Sequence, residues 1–247
     1  MKVAVVILTL NEARHIERAL HSVASFATCC FVVDSGSSDQ TSDIARAMGA
    51  EILSHPFVNQ ARQFNWAIQQ LPEDTDWVFR LDADEVVSDQ LAQEITECLN
   101  NTPANISGFT VPRRIAFLGR AIKHGGVFPV HTLRLFRRGR GRSEDRWMDE
   151  HITVDGDVVR LQGELLDDNL NPLDWWIAKH NQYASREVLE ILLQERSEGS
   201  RLLPSNAGSQ AKLKRWIKQH VYGRFPSGTR AAIYFVYRYF LMGGFRA

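Results

Sequence analysis

Apolar residues along the first hundred positions form short unbroken runs that alternate with stretches of helical spacing. Residues 3–10 are the first run, and a continuous Val- and Ile-rich run is typical of a strand buried on both faces of a parallel sheet. The same pattern predicts strands at 31–33, 51–53 and 77–81, and helices at 11–24, 41–48 and 59–71. This alternation predicts an α/β fold, with a doubly wound, mostly parallel sheet and helices on both faces.

The pattern changes after Pro103, where Gly-rich and Arg-rich loops separate less regular strands. Strands are predicted at 108–116, 132–136 and 157–161. Asn171 and Pro172 then open a helix, as cap and first residue, and two more helices are predicted at 212–222 and 230–242. We therefore divide the chain into a sheet domain, 1–165, and a C-terminal helical extension, 166–247.

Composition excludes some classes of protein. Lys+Arg and Asp+Glu are 29 each, and this balance weighs against a nucleic-acid partner. The three cysteines form no CxxC pair, which fits a reducing, cytoplasmic location. The apolar N-terminus is interpreted as a core strand, not a signal peptide. The longest apolar run near the end has about 12 residues, short of the roughly 20 that span a bilayer.

Two carboxylates, Asp82 and Asp84, follow the fourth predicted strand. Residues two apart in an extended chain point to the same side, so both are expected to aim at one point beyond the strand. Ligands of open α/β sheets bind at that edge. Two carboxylates suit Mg²⁺ or Mn²⁺, which would bridge a substrate's phosphates. The alternative is an acidic loop before a helix that Ser88 caps.

A second polar group follows the first two strands. Its members are Thr9, Asn11, Glu12, Asp34, Ser35, Ser37 and Asp39. Side by side in the sheet, they would form a crevice wall that hydrogen-bonds a nucleobase and ribose. Ordinary helix capping and turn chemistry are the alternative.

Five further residues are weaker candidates. Arg62 and Asn65 lie on the third predicted helix and could reach a pyrophosphate or base, or could form a solvated helix face. Arg134 and Arg137 could contact phosphates of a donor or acceptor, or belong to a surface loop. His124, beside two glycines, is a candidate for acceptor contact or metal binding.

Several motifs appear in a fixed order: "VVILTLNEARHIERAL", "FVVDSGSSDQTSDIA", "ARQFNWAI" and "WVFRLDADE". Together they resemble family 2 glycosyltransferases with the GT-A fold. The later segments "GFTVPRRIAFLGRAIKHGG", "HTLRLFRR", "MDEHI" and "WWIAKHNQYASRE" resemble a bacterial branch that builds surface polysaccharide or lipopolysaccharide core. The resemblance covers roughly residues 1–195.

This resemblance implies inverting transfer of a hexose or related sugar from a UDP- or GDP-type donor to a glycan or lipid-linked acceptor. Residues 1–100 would form the donor half and 101–165 the acceptor half. Asp34 would hold the base, and Thr9, Asn11 and Glu12 would line its pocket. Asp82 would lie nearer the sugar nucleotide and Asp84 nearer the Mg²⁺ or Mn²⁺ ion.

The general base of the family is an acidic residue in a later motif, matched here by residues 147–151. Asp149 and Glu150 are both candidates, and alignment position favours Glu150. Relatives often have His-Glu where this chain has Asp-Glu-His. A solvated acidic turn is the alternative.

The tail, residues 212–245, mixes Lys and Arg with aromatic residues, as interfacial helices do. It is expected either to contact the cytoplasmic face of the inner membrane or to form a buried helix pair or dimer face.

Two other functions compete with sugar transfer. A nucleotidyltransferase usually has a Gly-rich loop after the first strand, where this chain has Thr9-Leu10-Asn11-Glu12. A non-catalytic glycan- or membrane-partner-binding protein would not need Asp82, Asp84 and Glu150. The chain also lacks the GxxxxGK[ST] and GxGxxG phosphate motifs.

Overall fold

The N-terminal half of the sheet is parallel and follows the predicted alternation. The structure, a computed structural model, describes residues 1–145, 151–196 and 227–246. The first four strands are β1 (Val3–Thr9), β2 (Cys29–Asp34), β3 (Glu51–Ser54) and β4 (Trp77–Asp82). They lie in the order β3-β2-β1-β4, all parallel. The predicted α/β class is confirmed.

Helices cover both faces of this sheet, as predicted. They are α1 (Ile16–Val23), α2 (Thr41–Ala47), α3 (Gln60–Gln70) and α4 (Asp89–Asn101). Val5 and Ile7 of β1 share one buried cluster with α1, α2 and α4. Ala4 and Val6 point to the other face and share a second cluster with α3. Because successive strand residues alternate between faces, β1 is buried on both sides and must be apolar throughout.

The second half of the sheet is mixed. Its strands are β5 (Glu85–Val87), β6 (Ile106–Phe117), β7 (Arg120–Ala121), β8 (Val130–Arg137), β11 (Asp157–Arg160) and β12 (Leu165–Asp168). A separate hairpin contains β9 (Gly141–Ser143) and β10 (Ile152–Val154). The sheet continues from β4 through β8, β6 and β12 to β5. Strand β8 runs antiparallel to both β4 and β6, and β12 crosses the division that we placed at 165/166.

Capping fixes where two of the helices begin. The Asn59 side chain accepts a hydrogen bond from Arg62 N, and Ser88 accepts one from Leu91 N, as N-cap residues do. Helix capping is the alternative role that the sequence leaves open for Asn11. Asn11 does not cap α1, because α1 begins only at Ile16. The backbone of Asn11 has φ of 58° instead, a left-handed conformation that asparagine tolerates.

The C-terminal region is helical in its described parts. Helix α5 (Leu173–Arg196) follows Pro172, as predicted. Helix α6 (Ser227–Val236) continues into a π-helical turn, Tyr237–Leu241, and the backbone N–H of Gly125 donates to the carbonyl of Met242, 2.9 Å away. The predicted helix at 212–222 lies outside the described residues. Over the described ranges, no helix combines the length and apolarity needed to cross a membrane.

Candidate active site

The carboxyl ends of three neighbouring strands bring the first candidate residues together. In the sheet register Thr9 lies beside Asp34, and Leu8 lies beside Asp82. Asp34 and Asp82 therefore flank β1 on opposite sides. Two inter-strand spacings separate them, about 10 Å. The crevice that sequence analysis placed at this edge thus has a carboxylate on each side.

Asp34 is buried and organises the loop after β2. Its Oδ2 accepts hydrogen bonds from the backbone N–H groups of Gly36 and Ser37, at 3.0 and 2.9 Å. Its Oδ1 accepts from the hydroxyls of Thr9 and Ser37. These four bonds fill the acceptor sites of a carboxylate. A ligand donor could therefore reach Asp34 only by turning one hydroxyl aside.

Direct hydrogen bonds join the loops after β1 and β2. The backbone N–H of Asn11 donates to Ser37 Oγ at 2.9 Å, and Asn11 Oδ1 accepts from the backbone N–H of Ser38 at 2.8 Å. The backbone N–H of Glu12 donates to Thr41 Oγ1 at 2.8 Å. The left-handed backbone of Asn11 turns the chain toward these partners. The crevice wall is thus fixed in place by the protein alone.

Asp82, at the end of β4, is held by arginines. Arg134 Nη2 of β8 donates to Asp82 Oδ2 at 3.0 Å, and Arg80 Nε lies 3.6 Å from Asp82 Oδ1. Burial opposes ionisation of Asp82, but Arg134, Arg80 and Arg113 outweigh it and hold its pKa well below the usual range. The Asp82 side chain is still 33% exposed, so solvent and solutes reach it.

The same arginines continue into a network that joins five strands. Glu85 is fully buried, and its Oε1 is bound by Arg134 and by Arg113 Nε, which lies 3.2 Å away. Arg113 also pairs with Asp167 on β12. Burial raises the pKa of Asp167 against the attraction of Arg113, and the charges of Asp84 and Asp82 add to the rise. In the sheet register Asp167 lies beside Glu85, the residue after the Asp82-Ala83-Asp84 triplet.

Asp84 has different surroundings from Asp82. Ala83 and Asp84 form a turn before β5, so the extended chain assumed from the sequence is wrong at this point. Asp84 Oδ2 accepts a hydrogen bond from the side-chain amide of Asn169 at 2.9 Å. Among the described residues Asp84 forms no ion pair. The arginines thus pair with one carboxylate of the triplet and, over the part of the chain that the structure describes, leave the other without a cationic partner.

A divalent ion of the magnesium type fits this donor set. The described residues contain no cluster of three or more His, Cys, Asp or Glu side chains arranged for a metal. Mg²⁺ nevertheless binds proteins through one or two carboxylates, with substrate phosphates and water as its other ligands. Asp84 offers such a carboxylate, because its described side-chain partner is the amide of Asn169 and not a cation. Asp82 suits the ion less well, because Arg134 already occupies one of its oxygens.

The two predicted residues of helix α3 have different partners. Arg62 Nε lies 3.1 Å from Asp145 Oδ2, and Asn59 Nδ2 donates to Asp145 Oδ1 at 2.9 Å. The Arg62 side chain is exposed and lies in the first turn of α3. Asn65 does not join the site, contrary to the prediction. Its side-chain amide donates to the carbonyl of Ser143 and accepts from the backbone N–H of Ser143, which fixes β9 against α3.

The two candidate bases, Asp149 and Glu150, lie outside the described residues. The chain is anchored on both sides of them, because the backbone N–H of Glu144 donates to the carbonyl of His151 at 3.0 Å. Asp145 is bound at the N-terminal end of α3, as described above. That helix end follows β3 and so faces the edge where Asp34 and Asp82 lie.

One of the basic candidates lies away from Asp82. Arg137 pairs in register with Trp77, the first residue of β4, about 16 Å from the other end of the strand. Its guanidinium bonds to the carbonyl of Ile106 and lies over the Trp77 ring. The predicted phosphate contact of Arg137 is therefore wrong, because β8 runs antiparallel to β4. His124 is exposed in the loop between β7 and β8.

Sequence reasoning missed most of the charged network and the partner of Asp84. The missed residues are Arg80, Glu85, Arg113, Asp167 and Asn169. A signal was present for one of them. Arg80 interrupts the otherwise apolar run 77–81, and a charge at a buried strand position needs a partner of opposite sign. The sequence does not show that β8 and β12 supply other members of the network.

Comparisons with known proteins agree with the motifs. Residues 4–161 match the model of the family described as "Glycosyl transferase family 2". An uncharacterized glycosyltransferase of Rickettsia bellii is 39% identical over 94 residues, which is 38% of this chain and 31% of that protein. Several rickettsial relatives match similarly, and the chain spans about a third of their length. The lipopolysaccharide core biosynthesis glycosyltransferase LpsC of Rhizobium meliloti is 29% identical over 186 residues, 72% of this chain and 67% of that protein.

Solved structures with a related arrangement are more distant. Glucosyl-3-phosphoglycerate synthase from Mycobacterium tuberculosis, in complex with Mn²⁺, UDP and glucosyl-3-phosphoglycerate, has a TM-score of 0.47 and 18% identity. That match covers 76% of this chain and 79% of the synthase. TarS of S. aureus in complex with UDP has a TM-score of 0.40 and 20% identity, over 47% of this chain and 36% of TarS.

The arginine network makes a prediction about stability. Arg134→Met keeps the bulk of the side chain but leaves Glu85 buried beside one fewer guanidinium. We expect the variant to lose about 3–5 kcal/mol of unfolding free energy, because a buried charge left without its partner is strongly destabilising. Urea denaturation measures the change. Arg46→Met, which breaks an exposed pair with Asp43, is the control and should cost less than about 0.5 kcal/mol. Equal losses in the two variants would contradict a special role for Arg134.

Proposed function

The chain belongs to glycosyl transferase family 2, and on that premise we propose that it transfers a sugar, with inversion, from a UDP- or GDP-type donor. The acceptor is a glycan or lipid-linked glycan in lipopolysaccharide or surface-polysaccharide synthesis. The similarity to LpsC over 72% of the chain supports this substrate class. The sheet edge with Asp34 on one side of β1 and Asp82 on the other supports the donor site.

The observation that carries the proposal is the contrast between Asp82 and Asp84. Asp82 is neutralised by Arg134 and faces the crevice as a hydrogen-bond acceptor for the sugar nucleotide. Asp84 keeps its charge and would hold Mg²⁺ or Mn²⁺ against the diphosphate. When bound, such an ion neutralises the charge that develops on the leaving nucleoside diphosphate.

The nucleoside would lie against the two joined loops. Thr9 and Ser37 present hydroxyls that can rotate from Asp34 to a base or ribose. Asn11 and Glu12 fix the other side of the same wall. Arg62, exposed in the first turn of α3, is within the region where a pyrophosphate would lie and offers a guanidinium for its oxygens.

The acceptor hydroxyl must lose its proton as it attacks the anomeric carbon. We assign the base to residues 149–150 and favour Glu150 over Asp149. The bonds of Asp145 and the Glu144–His151 contact support this assignment, since they anchor the chain on either side near the edge of the sheet. Direct displacement of the nucleoside diphosphate by the acceptor hydroxyl inverts the configuration at the anomeric carbon of the sugar.

Nucleotide binding tests the donor site directly. We expect Mn²⁺ to tighten UDP or GDP binding at least about tenfold in calorimetry, equivalent to about 1.4 kcal/mol. Asp84→Asn should abolish the Mn²⁺ effect and leave metal-free binding nearly unchanged, because the amide keeps the shape but loses the charge.

Asp74→Asn is the matched control, since Asp74 is exposed and precedes the end of β4 opposite to Asp82. It should behave like the wild type. If Asp84→Asn retained the full Mn²⁺ effect, the metal assignment would be wrong. If the wild type bound neither nucleotide, the donor site itself would be refuted, and a non-catalytic binding protein would be favoured.

Turnover distinguishes the two candidate bases. With the donor found by screening nucleotide sugars for hydrolysis, Glu150→Gln should lower turnover about 10²–10⁴-fold while nucleotide affinity stays the same. Asp149→Asn is the matched variant and should retain most activity. A large loss of turnover in Asp149→Asn, with little loss in Glu150→Gln, would assign the base to Asp149. Small effects in both variants would place the base elsewhere.

The tail supports a peripheral membrane location on the cytoplasmic side. From Ile233 to Met242 the large apolar side chains are exposed, including Phe235 at 56% and Leu241 at 76%. Arg238 is the only charged residue in this run, and Lys and Arg are frequent in the sequence before it. An apolar helix surface with flanking cations is typical of segments that lie in the interface of an anionic bilayer.

Vesicle binding tests this location. We expect the protein to float with vesicles of phosphatidylglycerol and phosphatidylethanolamine, and Phe235→Ser/Leu241→Ser to reduce the partition coefficient at least about tenfold, because two apolar side chains no longer enter the bilayer. Met48→Ser/Val158→Ser removes exposed apolar residues elsewhere and should have little effect. Unchanged flotation of the tail variant would refute the location, and a change of oligomeric state instead would favour a dimer face.

A further inference from the structure

Residues 168–171, which we name the bridging segment, connect Asp84 to the start of α1. The segment begins with the last residue of β12 and precedes α5. The backbone N–H of Asp168 donates to the carbonyl of Asp84 at 3.0 Å, and its carboxylate pairs with Arg18 of α1 at 2.8 Å. These bonds hold the segment against two elements that each carry part of the proposed site.

Asn169 is the member of the segment that touches Asp84. Its Nδ2 donates to Asp84 Oδ2 at 2.9 Å, and its own Oδ1 accepts from the backbone N–H of Asn171 at 3.0 Å. The second bond fixes which end of the amide faces Asp84. A donor on one carboxylate oxygen holds the group in one orientation, and such partners of metal ligands commonly tune metal affinity.

His15 ties the segment to the nucleotide loop. It is buried, with 1% of its surface exposed. Its Nε2 accepts a hydrogen bond from the backbone N–H of Leu170 at 2.9 Å, so Nδ1 must carry the ring proton. That Nδ1 lies 2.6 Å from Glu12 Oε2 and donates to it. One neutral histidine thus links Glu12, beside the nucleoside wall, to the segment that holds Asp84.

We propose that Asn169 and His15 are positioning residues that couple the nucleotide loop to the metal-binding carboxylate. The inference rests on the proposed function, because it assigns Asp84 to the ion. Asn169 orients the Asp84 carboxylate, and His15 keeps the bridging segment at the distance that allows this contact. Neither residue contacts the reacting atoms.

The test is the ratio of UDP affinity with Mn²⁺ to UDP affinity without it, measured by calorimetry on the full chain. Asn169→Leu removes the donor to Asp84 at similar volume and should reduce this ratio about tenfold, the lower end of what such partners contribute to metal affinity, with metal-free affinity unchanged. Asn105→Leu is the matched control, because Asn105 makes an equivalent 2.8 Å bond to Asp157 away from the site. It should keep the wild-type ratio.

Two substitutions of His15 separate its contacts. In His15→Gln the longer amide can still accept from the backbone N–H of Leu170, whereas His15→Asn can keep only the donor to Glu12. We expect His15→Asn to lose the Mn²⁺ effect and His15→Gln to retain most of it. A purely structural role would lower the melting temperature and leave the ratio of the two affinities unchanged.

The outcomes separate this inference from the proposed function. A wild type without any Mn²⁺ effect overturns both. A normal Mn²⁺ effect in the wild type and in Asn169→Leu overturns only the inference, as does an equal loss in Asn105→Leu. If His15→Asn fails to fold, the Asn169→Leu variant still tests the inference, because Asn169 is only half-buried and its replacement should not prevent folding.

Discussion

The guanidinium of Arg134, between Asp82 and Glu85, is the interaction on which both the mixed sheet and the site depend. Glu85 is fully buried, and a buried carboxylate without a partner would cost more than one ordinary packing defect. Arg134 meets this requirement only if β8 runs antiparallel beside β4. Arg113 of β6 also pairs with Asp167 of the neighbouring β12, so the network links five strands at the edge where we propose that the donor binds.

The crevice wall illustrates a different constraint, that of preorganisation. Thr9, Asn11, Asp34 and Ser37 bond to one another and to backbone N–H groups before any ligand is present. A donor would therefore not have to order these loops, which is one of the main costs of binding. The donor would compete instead for the hydroxyls of Thr9 and Ser37, which can rotate away from Asp34. This arrangement favours a ligand that offers donors and acceptors in pairs, as a nucleobase does.

The sequence predicts the parallel half of the molecule well and the mixed half poorly. The apolar runs identify β1 to β4, and parallel order alone places Asp34 and Asp82 at the same edge. Arg134 and Arg137 show the limit. They are three residues apart in one strand, but only the antiparallel direction of β8 decides that the first meets Asp82 and the second lies over Trp77. Asn169 carried no signal, because its partner is 85 positions away.

Ion pairing is the reason that we propose different tasks for the two aspartates of one triplet. Among the described residues, Asp82, Glu85 and Asp167 each pair with at least one of Arg80, Arg113 and Arg134, whereas Asp84 pairs with none of them. A single carboxylate with one oxygen held by an amide is a weak site for a divalent ion by itself, and such ions complete their shell with phosphate oxygens. The diphosphate of a donor carries the negative charge that the ion still lacks. If Asp84 holds the ion as proposed, the ion and the donor should therefore bind together, each strengthening the other.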